Sequence, residues 1–286
     1  MILQFITWNP SPEMFTIPGI DWPVRWYGLM WAFSFIASHF IMNRVFKKEG
    51  RSDKDLDTLT LYIILGTVIG ARLGHCLFYG PWFDEYDDLG RLINEGYLSH
   101  PLNMLKVYEG GLASHGGAIG ILIAMVLYCR KTKESWLWLF DRLVIVVPLA
   151  AAFIRFGNLM NSEIIGKVTN VPWAFIFVQN DDLPRHPAQL YEALFCVVLF
   201  FLMYWLWKNK RDQVGPGFMF GIMCVLLFTE RFVDEFFKEN QVDFEGSLPF
   251  NMGQFLSIPF IIIGIIMMVR SRKPGLASSP KKEAAQ

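Results

Sequence analysis

The nine residues Arg155-Phe-Gly-Asn-Leu-Met-Asn-Ser-Glu163 put a guanidinium, two amides, a hydroxyl and a carboxylate at the close of an apolar run that begins near Trp136. Asn158 and Ser162 follow Arg155 by three and seven residues, so on a helix the three share one face. An arginine within a spanning helix costs roughly 2.5–3.5 kcal/mol on insertion scales, and a partner or ligand must offset that. Arg155, Asn158, Asn161 and Glu163 together suit a polar or anionic head group. The other reading pairs Arg155 with Glu163 or lets it reach to the interface.

Further groups fit the same chemistry. His115 precedes Gly116 and Gly117, which leave room for a head group or another backbone; its imidazole can take a proton near neutral pH. Arg231 has Asp234, Glu235 and Lys238 at i+3, i+4 and i+7, a stripe that is either part of a site or an ion-pair ladder. Arg72 lies between Gly70 and Gly74 and is either a site residue or a packing arginine bonded to carbonyls. Tyr27, near Trp22, Trp26 and Trp31, is a site residue or a member of an aromatic belt. His186, before Pro187, reads as structural. The sequence holds no His-Glu-x-x-His, P-loop or Gly-x-Ser-x-Gly, and no compact metal-ligand cluster. A site without metal or cofactor is expected. Arginine grips a phosphodiester bidentately, so an outer-leaflet phospholipid is the natural anionic substrate.

Long apolar elements must position these groups. Of 286 residues, 53% are hydrophobic and 16% aromatic, and the apolar runs reach the roughly 20 residues a bilayer helix needs. The expected fold class is an all-α integral membrane protein of about seven spans, near 24–42, 57–78, 112–129, 136–160, 188–207, 217–236 and 252–269. A net charge of +0 gives no sign of nucleic-acid binding. One set of loops and the tail carries Arg44, Lys47, Lys48, Arg51, Lys54, Arg130, Lys131, Lys133, Lys208, Lys210, Arg211, Arg270, Arg272, Lys273, Lys281 and Lys282. The opposite set has only Arg25, Arg91, Lys106, Lys167, Arg185 and Lys238, which predicts the N-terminus outside and the C-terminus cytoplasmic.

Residues 1–270 read as one polytopic membrane domain with longer outer-face segments at about 79–111 and 161–187, followed by a disordered tail at 271–286. The first residues read as an amphipathic interfacial segment. Cys76, Cys129, Cys196 and Cys224 read as free buried thiols. Glycines four apart (Gly66, Gly70, Gly74; Gly116, Gly120; Gly217, Gly221) predict close helix packing. At 1.5 Å rise per residue, Arg155 lies roughly 28 Å and Arg72 and Arg231 roughly 21 Å from the cytoplasmic ends of their spans. The other spans also bring polar residues to their outer ends, so a polar cavity open to the outer half of the bilayer is expected.

His115-Gly-Gly, Arg155-x-Gly-Asn-x-x-Asn-x-Glu163, Arg185-His-Pro-x-Gln-Leu-Tyr-Glu192 and Met252-Gly-Gln-x-Leu-Ser257 resemble motifs of the bacterial prolipoprotein diacylglyceryl transferases. Trp26-Tyr27-Gly28-Leu29 and Arg231-Phe-Val-Asp-Glu235-Phe-Phe do so too, and together the matches run in order from about residue 20 to 270. The resemblance implies transfer of a diacylglyceryl group from phosphatidylglycerol to the lipobox cysteine of a preprolipoprotein, in the bacterial inner membrane with the site facing the outer leaflet. It implies that Arg155 and Arg231 are essential, that His115 and Tyr27 are needed for activity, and that Asn158, Glu163 and Glu235 support them. Asn161, Gly116, Gly117 and Arg72 complete the expected phosphatidylglycerol site. Ile154 stands where that signature usually has glycine, His75 where an aromatic is common, and Lys238 where arginine is frequent. The competing functional class is a phospholipid-binding transporter or flippase using the same cavity, and a further one is an intramembrane scaffold whose arginines only pair with acids.

Overall fold

The computed structural model describes residues 5–19, 21–106, 110–239 and 249–271. Seven α-helices lie among them: α1 (Trp26–Lys48), α2 (Asp53–Phe78), α3 (Ser114–Thr132), α4 (Trp136–Met160), α5 (Ala188–Lys210), α6 (Phe218–Asp234) and α7 (Met252–Arg270). They answer to the seven predicted spans, with ends shifted by a few residues. Helices α1, α2, α4, α5 and α7 are long and apolar enough to cross a membrane. At about 1.5 Å per residue, the 17 residues of α6 reach only about 25 Å. This is an all-α membrane protein in its spanning part.

Short strands mark the segments outside the helices. In the N-terminal segment, whose residues 1–4 lie outside the described residues, β1 (Ile6–Trp8) is followed by the antiparallel pair β2 (Glu13–Ile17) and β3 (Trp22–Arg25). Strands β4 (Glu85–Tyr86) and β5 (Leu92–Asn94) form a hairpin after α2, and β6 (Phe175–Phe177) and β7 (Pro184–Arg185) fold between α4 and α5. Of the predicted disordered tail only Ser271 is described. It is buried, donates its hydroxyl to Pro216 O and so belongs to the folded body; residues 272–286 lie outside the described residues.

The chain divides into two compact units, Phe46–Leu139 and the remainder. In the first, α2 and α3 pack along their glycines. A Cβ on Gly70 would lie 2.8 Å from Gly120 Cα, and one on Gly74 2.8 Å from Gly116 Cα, so only hydrogen fits at these crossings. In the second unit α6 lies between α5 and α7, with Gly221 and Gly264 at the α6–α7 crossing. Gly217, expected in that stripe, instead caps α6 with φ 87°. The buried Asp141 of α4 accepts the Gly217 and Phe220 amides at 2.7 and 2.9 Å, occupying donors that a helix start otherwise leaves open.

The sheet of the second unit supports the end of α4. Strand β1 runs parallel to β6, which pairs antiparallel with β7; bridges from Val168 to Arg185 and from Gly166 to Lys238 continue it. Leu159, Phe175 and Phe177 are buried together, with Trp8, Ile165 and Leu190 packed on them, and Trp8 donates its indole N–H to Leu159 O at 2.9 Å.

Candidate active site

Helix α4 ends on Met160, and the backbone then turns through left-handed conformations at Ser162 (φ 53°) and Ile164 (φ 56°). A β-branched residue such as Ile164 is strained in that conformation. Two turns into this conformation fold Glu163 back onto the helix. Its carboxylate accepts Asn158 Nδ2 at 3.1 Å and Asn161 Nδ2 at 3.2 Å, and the buried Gln189 donates to its carbonyl. The predicted set Arg155, Asn158, Asn161 and Glu163 is therefore one hydrogen-bonded group, with Arg155 Nη1 donating to Asn158 Oδ1 at 3.3 Å. The Arg155–Glu163 pairing raised as an alternative does not form. Arg155 Nε instead meets Glu192 Oε2, from the first turns of α5, at 2.7 Å.

Glu192 links this group to the end of α6. Its Oε1 lies 2.8 Å from Lys238 Nζ, and the same ammonium is 3.2 Å from Asp234 Oδ2 and 3.4 Å from Glu235 Oε1. Lys238 is only 2% exposed, an arrangement that burial permits because three carboxylates surround the charge. Glu235 Oε2 accepts Asn251 Nδ2 at 2.9 Å, while Asn251 also caps α7 through the Gln254 amide. Arg231 stands at the edge with 40% of its side chain exposed. Tyr27 rests its ring against Gly157, where a Cβ would come within 2.9 Å of Tyr27 Cδ2. Gly157 thus lets the start of α1 lie close to the Arg155–Asn158 turn.

Glu192, Lys238, Asn251 and Gln189 were not among the predicted site residues. The available signal was three acids and a lysine next to arginines in apolar surroundings, since buried charges need partners. Beside the network, Arg185 makes a fork on Asp181 at 2.6–3.1 Å and reaches Glu239 at 2.7 Å. That bond holds the Asp181 carboxyl below its ordinary range and raises Arg185, whereas burial lowers His186. His186 Nδ1 is 3.1 Å from the Tyr191 hydroxyl and its backbone pairs with Gly166 and Lys167, a structural role as expected.

The first unit carries the other predicted residues. His115 is the second residue of α3, exposed. Of the two alternatives for the glycines beside it, Gly116 takes the packing one: its bare face meets the backbone of α2 at Gly70 and Gly74, so no head group occupies that side. A Cβ on Gly117 would make only ordinary contact, 3.6 Å from Ala71 Cβ. Arg72 likewise departs from the head-group expectation. It is buried, and its guanidinium donates to Met104 O, Asn103 O, Gly110 O and Gly111 O at 2.6–3.2 Å, with the Tyr97 ring 5.4 Å away. Its bonds hold the segment that follows α2 against that helix. Among the described residues no group of His, Cys, Asp and Glu side chains is arranged to hold a metal ion; the place where Glu192, Asp234 and Glu235 converge holds the Lys238 ammonium.

Residues 12–270 match the prolipoprotein diacylglyceryl transferase family. A phosphatidylglycerol–prolipoprotein diacylglyceryl transferase of Bacteroides fragilis is 46% identical over 267 residues, covering 93% of this chain and 95% of that one. The enzyme of the same name from Chloroherpeton thalassium is 44% identical over 274 residues, with 94% and 96% covered. That of Vibrio cholerae is 39% identical, with 94% of each chain covered. With residues 12–270 matching this family and relatives 39–46% identical over nearly the whole chain, the chain belongs to the prolipoprotein diacylglyceryl transferase family.

Proposed function

We propose that this protein transfers the diacylglyceryl group of phosphatidylglycerol to the lipobox cysteine thiol of a preprolipoprotein. Sulfur attacks the glyceryl carbon that carries the phosphate ester, the C–O bond breaks, and glycerol phosphate leaves as the thioether forms. The observation that carries this reading is the Arg155–Glu192–Lys238–Glu235 network with Arg231 open at its edge, in a chain of this family. Arg231 and Arg155 bind the phosphodiester and stabilise charge on the departing glycerol phosphate. Asn158, Asn161 and Glu163 fix the turn that carries Arg155. A thiol with an unperturbed pKa of about 8.5 must lose its proton to attack carbon; His115 accepts it. Gly117, beside His115, keeps that helix start slim. Arg72 and Gly116 are assigned packing roles, a reading supported by their contacts with backbone carbonyls and with α2.

The reaction takes place at the outer leaflet of the bacterial cytoplasmic membrane, where translocated lipobox peptides and phosphatidylglycerol meet. The test is transfer of labelled diacylglyceryl from phosphatidylglycerol to a lipobox peptide by purified protein in detergent with EDTA. Thioether product is expected, lost in Arg155→Ala and reduced roughly 10²–10⁴-fold in His115→Gln. Folded variants with near-normal transfer would refute these roles. Bound phosphatidylglycerol without product would favour a lipid carrier.

A further inference from the structure

We infer that Lys238 is a positioning residue: by holding Glu235, it keeps the Arg231 guanidinium open for the lipid phosphate. The inference rests on the transferase reading above. Arg231 and Glu235 are four residues apart, the spacing at which an acid and an arginine on one helical face ordinarily pair. Here they form only a long ion pair, 4.0 Å apart and beyond hydrogen-bond reach. Glu235 Oε1 lies nearer to Lys238 Nζ, at 3.4 Å, than to Arg231, and Oε2 accepts Asn251 Nδ2 at 2.9 Å. Gly253 makes room for that rotamer, since a Cβ there would lie 2.9 Å from Glu235 Cγ and nearer still to its carboxyl group.

Lys238 cannot follow Glu235 toward Arg231. Its ammonium is also tied to Glu192 at 2.8 Å and Asp234 at 3.2 Å, and Lys238 is almost fully buried. Three rotatable donors let one cation serve three carboxylates. The two arginines are consequently unequal. Arg155 is anchored on Glu192 at 2.7 Å with 19% of its side chain exposed, whereas Arg231 keeps 40% exposed and donates no hydrogen bond among the described residues. The open guanidinium is the one a phosphodiester reaches without displacing a carboxylate.

The experiment compares wild type, Lys238→Met, Gly253→Ala, Glu235→Gln and the double variant Lys238→Met/Glu235→Gln. In detergent, kcat and KM are measured for phosphatidylglycerol with a lipobox peptide, and binding of radiolabelled phosphatidylglycerol is measured separately. Lys238→Met and Gly253→Ala release Glu235 by different routes, so each raises KM and Kd roughly tenfold, the weight of one charge-assisted hydrogen bond, with kcat changed less. The double variant returns to the values of Glu235→Gln, because the competing carboxylate is gone. If Lys238→Met does not fold, Gly253→Ala carries the same test with every charge in place. Unchanged KM and Kd in the folded variants, or a double variant no better than Lys238→Met, overturns the inference. A wild-type protein that neither binds phosphatidylglycerol nor makes thioether overturns the transferase reading instead.

Discussion

Glu192 touches both halves of the charged network, Arg155 at 2.7 Å and Lys238 at 2.8 Å, and only 4% of its side chain is exposed. Replacing it with leucine leaves Arg155 without its carboxylate and Lys238 with only Asp234 and Glu235. Breaking a buried pair from one side costs about 3–5 kcal/mol, so Glu192→Leu is expected to lower the thermal midpoint in detergent steeply. Glu192→Gln, which keeps a hydrogen-bond acceptor, loses less. A midpoint within a degree or two of wild type for Glu192→Leu would show that the network is solvated. Arg155, Asn158 and Glu163 were legible as a group because neighbouring turns of one helix fix their spacing. Their partner was not, because Glu192 and Lys238 are separated by 46 residues and meet only when α5 and α6 pack.

At the level of elements, the α2–α3 pair depends on glycine at positions where the backbones touch. Gly120→Leu drives a side chain into Gly70, whose Cα would already lie 3.0 Å from a Cβ, and overpacking of this kind costs about 1–3 kcal/mol. The expected outcome is a lower thermal midpoint and lower yield in membranes; a fully stable variant would mean the two helices can separate freely. The paired strands at Gly166–Thr169 and Pro184–His186 carry a pH dependence. Burial lowers His186 below its ordinary 6.5, so its contribution is complete above that value and is lost as pH falls through it, since the unfolded segment binds the proton more readily. Asp181, held down by Arg185, keeps its contribution until more acid pH. Amide exchange of Gly166 and His186, corrected for intrinsic rates, is therefore expected to quicken between pH 7.5 and 5.5, and less so in His186→Gln. Equal pH dependence in both proteins would rule out the histidine. The periodicity of glycine announced the helix pair, whereas the strands were too short and too irregular to leave a pattern.

For the whole molecule, the sixteen basic residues on one set of loops and tail against six on the other predict the N-terminus outside. Because Cys76, Cys129, Cys196 and Cys224 are buried, a membrane-impermeant maleimide reports mainly on introduced thiols. Asp88→Cys, in the hairpin segment, is expected to label from the outer side of intact membranes. Lys54→Cys, at the start of α2, is expected to label only after the membrane is opened. The reverse pattern would invert the topology and move the proposed site to the cytoplasmic leaflet.

Hydrophobic run length marked the membrane class and the seven helices, five of which are long and apolar enough to cross a membrane. The ordered motifs marked which helix ends carry polar chemistry. Tertiary packing alone decided how those charges pair. It gave Arg155 to Glu192 rather than Glu163, closed Arg72 onto backbone carbonyls, set Asp141 at the start of α6, and made Lys238 the cation that three carboxylates share. Apart from Lys238 with Asp234 and Glu235, which share one helical stripe, these pairings join residues far apart along the chain, and in a low-dielectric interior each charge takes whichever partner the helix packing brings within reach.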